Sequence, residues 1–306
     1  MYVRSVVIGY GSIGQRHTRL LDELGTSAAV VSRRAIDHRP AFKTIAEALV
    51  AHQPGLVVVA TETGTHHATL TALAELGFHG KVLVEKPLFA HACPLPANAF
   101  SDLRVAYNLR CHPLVGALRA RLDGSRPRLI QAAVGQYLPD WRAGRDWRQG
   151  YSAQPNAQGG GALRDLSHEL DLLLWLCGPW RRVAALGGRS GLLPIASDDH
   201  WSILMAFESG AEVSLQLDYL SRPGRRFLAV EYDGGSAIAD FMADTLSVNG
   251  TVERIDAPRD ESYRRQLHAM LSGETGHLCD ESGGLDVMHL IAAIERATHE
   301  MTWIGA

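Results

Sequence analysis

The chain has 306 residues, 46% hydrophobic and 21% charged, with a formal net charge of -3. That balance belongs to a folded protein and excludes a disordered or fibrous one. The chain carries no basic stripe of the kind a nucleic-acid binder shows, and its length suits two domains rather than one core. The start, "MYVRSVVIGY", has no basic segment ahead of a long apolar one, so no signal peptide is expected. The run "LDLLLWLCG", ending at Gly178, is far short of a membrane span. Cys93, Cys111, Cys177 and Cys279 form no CxxC pair and read as reduced thiols of a cytoplasmic protein, with no zinc site.

Up to about residue 110, short apolar runs alternate with stretches of helical spacing. "SVVIGY" predicts a strand, "GQRHTRLLDEL" a helix ending at Gly25, and "SAAVVSRR" the next strand. "IAEALVAH" predicts a helix, "GLVVVAT" a strand, and "THHATLTALAELG" a helix that stops at Gly77. "KVLVEKP" and "LRVAYNL" predict two more strands. These strands are Val-rich and continuous, which suits a parallel sheet covered on both faces. The expected unit is a doubly wound α/β domain over residues 1–115.

Beyond that point the pattern changes. A long helix is expected at about 163–177 and another at about 284–303. "LIQAAVGQYL", "HWSILMAFES", "AEVSLQLDYL", "RRFLAVEYD", "SAIADFM" and "TLSVNGTV" read as strands set off by turns such as "ESGA" and "DGGS". Val213, Leu215, Leu217 and Tyr219 point one way, and Glu212, Ser214, Gln216 and Asp218 the other. This predicts a mostly antiparallel sheet, in an α+β domain over 116–306.

Gly9, Gly11 and Gly14 have G-x-G-x-x-G spacing, with Ser12 and Ile13 between the last two. The match counts because it follows a strand and opens a helix. Gly9 permits the tight turn, Gly11 lets a pyrophosphate approach the backbone, and Gly14 lets helix and sheet pack closely. At the end of the second strand an NAD site usually places Asp or Glu; here stand Ser32, Arg33 and Arg34. A guanidinium suits a 2′-phosphate, so NADP is expected ahead of NAD. Thr61 and His66 follow a strand end, where cofactor loops lie. Adjacent His66 and His67 would not face one metal from a helix, and "SDDH" at 197–200 reads as structural.

Lysine occurs only at positions 43, 81 and 86; arginine carries the remaining positive charge. Lys86 stands between Glu85 and Pro87 at a strand end. Five segments in order, "GYGSIGQRH", "ATETGTHH", "EKP" at 85–87, "YNLRCHP" and "GGGALRDLSHELDLLLWLCG", resemble the Gfo/Idh/MocA oxidoreductases, named for glucose–fructose oxidoreductase and inositol dehydrogenase. The resemblance covers the whole chain. It implies that Glu85 and Lys86 lie at the cofactor, with Lys86 beside the nicotinamide and the reacting hydroxyl. It also implies that His168 exchanges the proton with the substrate oxygen while Asp165 supports it. The chemistry agrees: an ammonium shares in proton movement and a guanidinium does not, and a histidine held by a carboxylate suits acid/base work. On one helix Asp165, His168 and Asp171 would share a face. The common family pattern has Asp four residues before His; here Arg164 holds that place and Asp165 stands three before.

The loop at 137–154 carries Tyr137, Trp141, Trp147, Arg142, Arg145 and Arg148. Such residues suit sugar stacking or grip on a carboxylate or phosphate, and equally the anchoring of a neighbouring subunit. Arg110, Tyr137, Trp141, Arg145, Asp165 and His168 are the candidate substrate contacts. The loop and "SHELD" resemble family members of sialic-acid-like and surface-sugar metabolism. The expected activity is hydride transfer between NAD(P) and a sugar-like alcohol or carbonyl, in a homodimer or homotetramer built through the second sheet. The rival readings are a reductase of a non-sugar, similar to the bilin reductases, and a non-catalytic NAD(P)-binding regulator.

Overall fold

The apolar runs of the first third become the strands of a parallel sheet in the computed structural model, which describes residues 4–141 and 146–306. Strand β1 (Arg4–Ile8), helix α1 (Ser12–Glu23) and β2 (Ser27–Val31) come first. They are followed by β3 (Ala41–Phe42), α2 (Ile45–His52), β4 (Leu56–Val59) and α3 (His66–Glu75). Then come β5 (Lys81–Val84) and β6 (Asp102–Val105). The order is β6-β5-β4-β1-β2-β3, and each neighbouring pair is parallel. Val57, Val58 and Val59 have no exposure at all, because the central strand is covered on both faces. The strand order turns back at β1 and β4, and in sheets of this kind ligands bind at the carboxyl ends of the strands where it does so.

The next stretch holds α4 (Pro113–Arg121), β7 (Pro127–Gly135), α5 (Ala162–Asp165), α6 (His168–Cys177) and β8 (Trp180–Gly188). It continues with β9 (His200–Phe207), β10 (Glu212–Asp218), β11 (Arg225–Tyr232) and β12 (Gly235–Asp240). The hairpin of β13 (Thr245–Val248) and β14 (Thr251–Arg254) turns at Asn249 and Gly250, both at positive φ. The order is β14-β13-β12-β11-β7-β10-β9-β8. Every pair is antiparallel except β7 with β10, so the mostly antiparallel sheet stands as expected. Along β10 the expected alternation holds: Val213, Leu215 and Leu217 are buried, while Glu212, Ser214 and Gln216 are exposed. Asp218 breaks the pattern by being buried.

The chain ends with α7 (Glu261–Ser272), β15 (Cys279–Asp280), α8 (Glu281–Glu300) and β16 (Ile304–Gly305). Strand β15 pairs antiparallel with β6, and β16 with β8. Two compact units result: residues 1–89, 93–111 and 259–285 in one, and 90–92, 112–258 and 286–306 in the other. A single cut after residue 115 does not capture the return of 259–285 to the first unit. That return rests on β15 and on α7, whose Arg264 pairs with Glu23 of α1 and whose Met270 carbonyl accepts from Lys81 Nζ at 2.7 Å.

Two expected helices differ. The helix predicted over 163–177 is broken at Leu166 and Ser167, leaving α5 as a single turn. That turn is anchored separately. Arg164 Nε donates to the Ala90 carbonyl at 2.9 Å, and the Asp198 carboxylate accepts from the Leu163 N–H at 2.8 Å. The last helix begins and ends three residues earlier than expected, and Ile304, just beyond the expected end, lies in β16.

Candidate active site

In the first unit the glycine loop joins β1 to α1. Gly9 has φ +97°, and a Cβ there would lie 2.5 Å from the Ala60 carbonyl oxygen; one on Gly14 would lie 2.1 Å from the Gly9 carbonyl oxygen. Both positions therefore demand glycine. Gly11 is different, since a Cβ there would meet nothing within 4 Å. The open space lies at the N-cap of α1, whose first turn has no acidic residue and no side-chain cap. Free N–H groups beside open space fit the pyrophosphate of a dinucleotide. Ser12 is exposed and Ile13 half-buried.

Beyond β2, the Ser32 hydroxyl accepts from the Arg34 N–H at 3.1 Å. Lys43 Nζ donates to the carbonyls of Arg33 and Arg34 at 3.2 and 3.4 Å. The backbone of this turn is thus pinned while both guanidinium side chains stay exposed. Thr61 lies just past β4, and its hydroxyl accepts from Thr65 at 2.9 Å. His66 is fully buried. Its Nδ1 stands 3.2 and 3.1 Å from the carbonyls of Pro87 and Leu88, and its Nε2 3.2 Å from that of Thr61. Burial holds this imidazole below its ordinary pKa, against the raising effect of those carbonyls and of Glu85. His66 therefore ties the loop after β4 to the segment after β5. His67 is exposed and packs on Phe89 with ring centroids 5.3 Å apart, so the two histidines have opposite surroundings.

Glu85 and Lys86 follow β5 directly. Glu85 is buried, and both its oxygens are engaged within the chain: Oε1 with His17 Nε2 at 2.6 Å, and Oε2 with the Lys86 N–H at 3.2 Å. Burial pushes this carboxyl upward, but the hydrogen bond and charge of His17, with a smaller effect from Lys86, hold it below the usual range. Lys86 is half-buried at the strand end, and its bond to Pro87 is cis. Arg110 lies against the turn at 280–283: one of its guanidinium nitrogens is 3.5 Å from the position of a Cβ on Gly283, and its charge helps lower the Asp280 carboxyl.

The second unit holds the other candidates. Asp165 ends α5 and His168 opens α6, so they lie on two short elements rather than on one helix face. Asp165 Oδ2 accepts from Ser152 Oγ at 2.5 Å and from the Tyr219 hydroxyl at 3.1 Å. Burial, then the charges of Asp165 and Asp198, raise the Tyr219 phenol well above its ordinary value, so it remains a donor. Trp141 packs edge-on against the Tyr219 ring at 5.3 Å. Its buried indole N–H has no hydrogen-bond partner among the described residues. Tyr137 carries the Arg222 guanidinium 3.5 Å over its ring. Arg145 lies outside the described residues. Asp171 is fully buried, and Glu169 pairs with Arg226 at 2.6 Å.

Arg164 accounts for the departure from the common family spacing. It is buried, and it grips both oxygens of Glu295 on α8 at 2.7 and 3.2 Å. In "SDDH", Asp198 also accepts from the Trp201 indole at 2.6 Å, and Asp199 from Ser190 at 2.8 and 2.7 Å. Among the described residues no group of three or more His, Cys, Asp or Glu could hold a metal, and no helix is long and apolar enough to cross a membrane. Sequence reasoning missed His17, Ser152 and Tyr219 as partners of Glu85 and Asp165. Only His17 had a local signal: it shares the buried face of α1 with Gly14, Thr18 and Leu21.

A doubly wound sheet with this glycine loop defines a dinucleotide-binding protein. The family profile "Oxidoreductase family, NAD-binding Rossmann fold" matches residues 3–99, and "GFO/IDH/MocA C-terminal domain" matches 124–256. The chain belongs to the Gfo/Idh/MocA family of oxidoreductases. No curated protein matches it at significance. Solved structures share its fold. The WlbA dehydrogenase from Bordetella pertussis, in complex with NADH and UDP-GlcNAcA, is 19% identical, covering 100% of this chain and 99% of its own, with a TM-score of 0.79. The UDP-N-acetylglucosamine 3-dehydrogenase GnnA from Acidithiobacillus ferrooxidans is 21% identical over 98% and 99%, with a TM-score of 0.78. A levoglucosan dehydrogenase, in complex with NADH and levoglucosan, is 15% identical over 100% and 99%, with a TM-score of 0.83.

Proposed function

We propose that this protein is a cytoplasmic NADP-dependent dehydrogenase or reductase of a sugar or nucleotide-linked sugar. The family supports the reaction class. The observation that carries the rest is a buried carboxylate, Glu85, fixed beside a half-buried lysine at the end of β5, on a fold whose solved relatives include sugar dehydrogenases. When bound, the nicotinamide supplies or receives the hydride. Gly9, Gly11 and Gly14 admit its pyrophosphate, and Arg33 and Arg34 offer charge to a 2′-phosphate, a role open to them because both guanidinium groups are exposed and neither Asp nor Glu stands at 32–36, directly after β2.

Lys86 hydrogen-bonds the reacting oxygen, and His168 takes or returns its proton. Asp165 is kept in place by Ser152 and Tyr219, a restraint suited to supporting His168. Trp141, with an indole N–H lacking a partner among the described residues, is a donor suited to a sugar hydroxyl. Tyr137, Arg110 and Arg145 are further substrate contacts in this reading. The protein acts as a dimer or tetramer through the open face of its second sheet. Leu186, Leu204, Met301 and Trp303 are exposed there around a groove of about 700 Å³, beside Ser202, Ser214 and Gln216. A contiguous exposed apolar patch of this kind marks an interaction surface.

The test is a panel of free sugars, sugar acids and UDP-sugars, each with NADP, NADPH, NAD and NADH, followed at the reduced-nicotinamide absorbance. Turnover of a sugar with NADP(H) preferred is expected. Turnover of a bilin or other non-sugar alone, or tight cofactor binding without turnover of any alcohol or carbonyl, overturns it.

A further inference from the structure

The side chain of His17 lies on the inward face of α1 and has no exposure. Such a place normally goes to an apolar residue, because an imidazole buried without partners is costly. Its Nε2 meets Glu85 Oε1 at 2.6 Å, while its Nδ1 is buried with no hydrogen-bond partner among the described residues. A carboxylate oxygen only accepts, so it is the Nε2–H that is directed at Glu85. The ring is closed off from α7 by Tyr263, edge-on with centroids 5.9 Å apart. Tyr263 in turn lies under the Arg16 guanidinium at 4.9 Å, and Arg16 pairs with Asp260 at 3.2 Å. The other oxygen of Glu85 receives the Lys86 N–H. One carboxylate thus links a histidine of the cofactor-loop helix to the backbone of the lysine after β5.

We infer that His17 is a positioning residue, which fixes the Glu85 carboxylate and through it the place and charge environment of Lys86. The inference rests on the proposed role of Lys86 and goes one step behind it. A carboxylate held only by the Lys86 N–H would be free to swing toward the ammonium. A reacting group displaced by about an ångström loses roughly a hundredfold in rate. Because α1 also opens at the glycine loop, the link couples the seat of the pyrophosphate to the seat of the lysine.

The chain suits a direct measurement, since its lysines are only Lys43, Lys81 and Lys86. Isotope-labelled lysine gives three Cε signals in NMR, and Lys86→Arg assigns one by removing it. In His17→Leu and Glu85→Gln the Lys86 signal should move while those of Lys43 and Lys81 stay. His17→Gln, whose amide can donate from nearly the same point, should bring the Lys86 signal back toward its wild-type position. A folded His17→Leu protein with an unmoved Lys86 signal overturns the inference. If His17→Leu does not fold, Glu85→Gln decides by itself, because it keeps the shape, removes the charge and turns one accepting oxygen into an amide donor that cannot receive an N–H; an unmoved signal there overturns it too. Full turnover in Lys86→Arg would instead remove the catalytic role of Lys86 and leave this link standing, so the two failures are told apart.

Discussion

Arg164 and Glu295 form a two-pronged ion pair, with the guanidinium buried and the carboxylate at its edge. The arginine thus occupies a place where the common family spacing has an aspartate, and it serves the fold. Both nitrogens are aligned to one carboxylate, a geometry that lysine cannot copy. Glu295→Ala leaves a buried cation that keeps its hydrogen bond to the Ala90 carbonyl and the charge of Asp198 but loses its paired carboxylate. Breaking a buried pair costs about 3–5 kcal/mol, and the partial exposure of Glu295 brings this nearer to ~2 kcal/mol. A clear drop in the midpoint of thermal unfolding is expected, with dinucleotide affinity unchanged. A midpoint equal to wild type would show the pair to be incidental.

Two glycines of one loop should fail in different ways. Gly14→Ala drives a methyl against the Gly9 carbonyl at 2.1 Å, so it must displace backbone and should lower stability. Gly11→Ala meets open space and should fold with wild-type stability. It puts a methyl where the pyrophosphate would lie, so dinucleotide affinity should fall sharply. Calorimetry and cofactor titration on both variants check this; equal losses of stability, or an unimpaired Gly11→Ala affinity, contradict it.

The legible parts of the fold are those written in local pattern. The sheet of the first unit shows in runs such as "GLVVVAT" because a strand covered on both faces has no polar side to interrupt it. Strand β10 shows because one face is dry. Strand β8, "WRRVAALGG", shows neither pattern: only Val183 is buried along it. The break at Leu166 and Ser167 was hidden because the helical spacing runs on across it. Its cause lies in Asp198, Ala90 and Glu295, all distant in sequence. The same holds for the return of 259–285, which depends on pairing with a strand more than 170 residues earlier. In the site, residue types at strand ends were readable, and their partners were not. "EKP" marks Lys86, yet nothing in those three letters points to His17.

Cofactor choice tests the turn after β2. Removing one charged hydrogen bond costs about 1.5–3 kcal/mol, which is roughly ten- to a hundredfold in affinity. Arg33→Ala should weaken NADP by that amount and leave NAD nearly unchanged. Lys43→Ala, which frees the two carbonyls that pin the turn, should weaken NADP less. Equal binding of NADP and NAD by the wild type would remove the 2′-phosphate reading.

Assembly tests the open sheet face. Leu204 is exposed in the middle of β9. A charge there leaves the monomer fold intact, because the side chain already faces outward, yet it would be buried in an interface. Leu204→Glu should therefore lower the mass in light scattering to that of one chain at micromolar concentration. A wild-type protein that is already monomeric under those conditions refutes the interface.

Lys86 decides whether the site works as proposed. This chain uses arginine almost everywhere, so a lysine that only packed against its turn could be exchanged for arginine with little effect. If it meets the reacting oxygen, arginine is too large and does not share its proton. Loss of a positioned acid/base group commonly costs about 10²- to 10⁴-fold in rate. The glycine loop and Arg33 are untouched by the change, so NADP affinity should stay near wild type. Lys86→Arg should thus lower turnover at least about a hundredfold while binding cofactor normally. His168→Asn should behave alike. If both residues act on one proton, the double variant loses much less than the product of the single losses. Losses that multiply would mean that the two side chains serve separate steps. Wild-type turnover in Lys86→Arg, measured on the substrate the panel identifies, would show that the lysine does not touch the reacting oxygen.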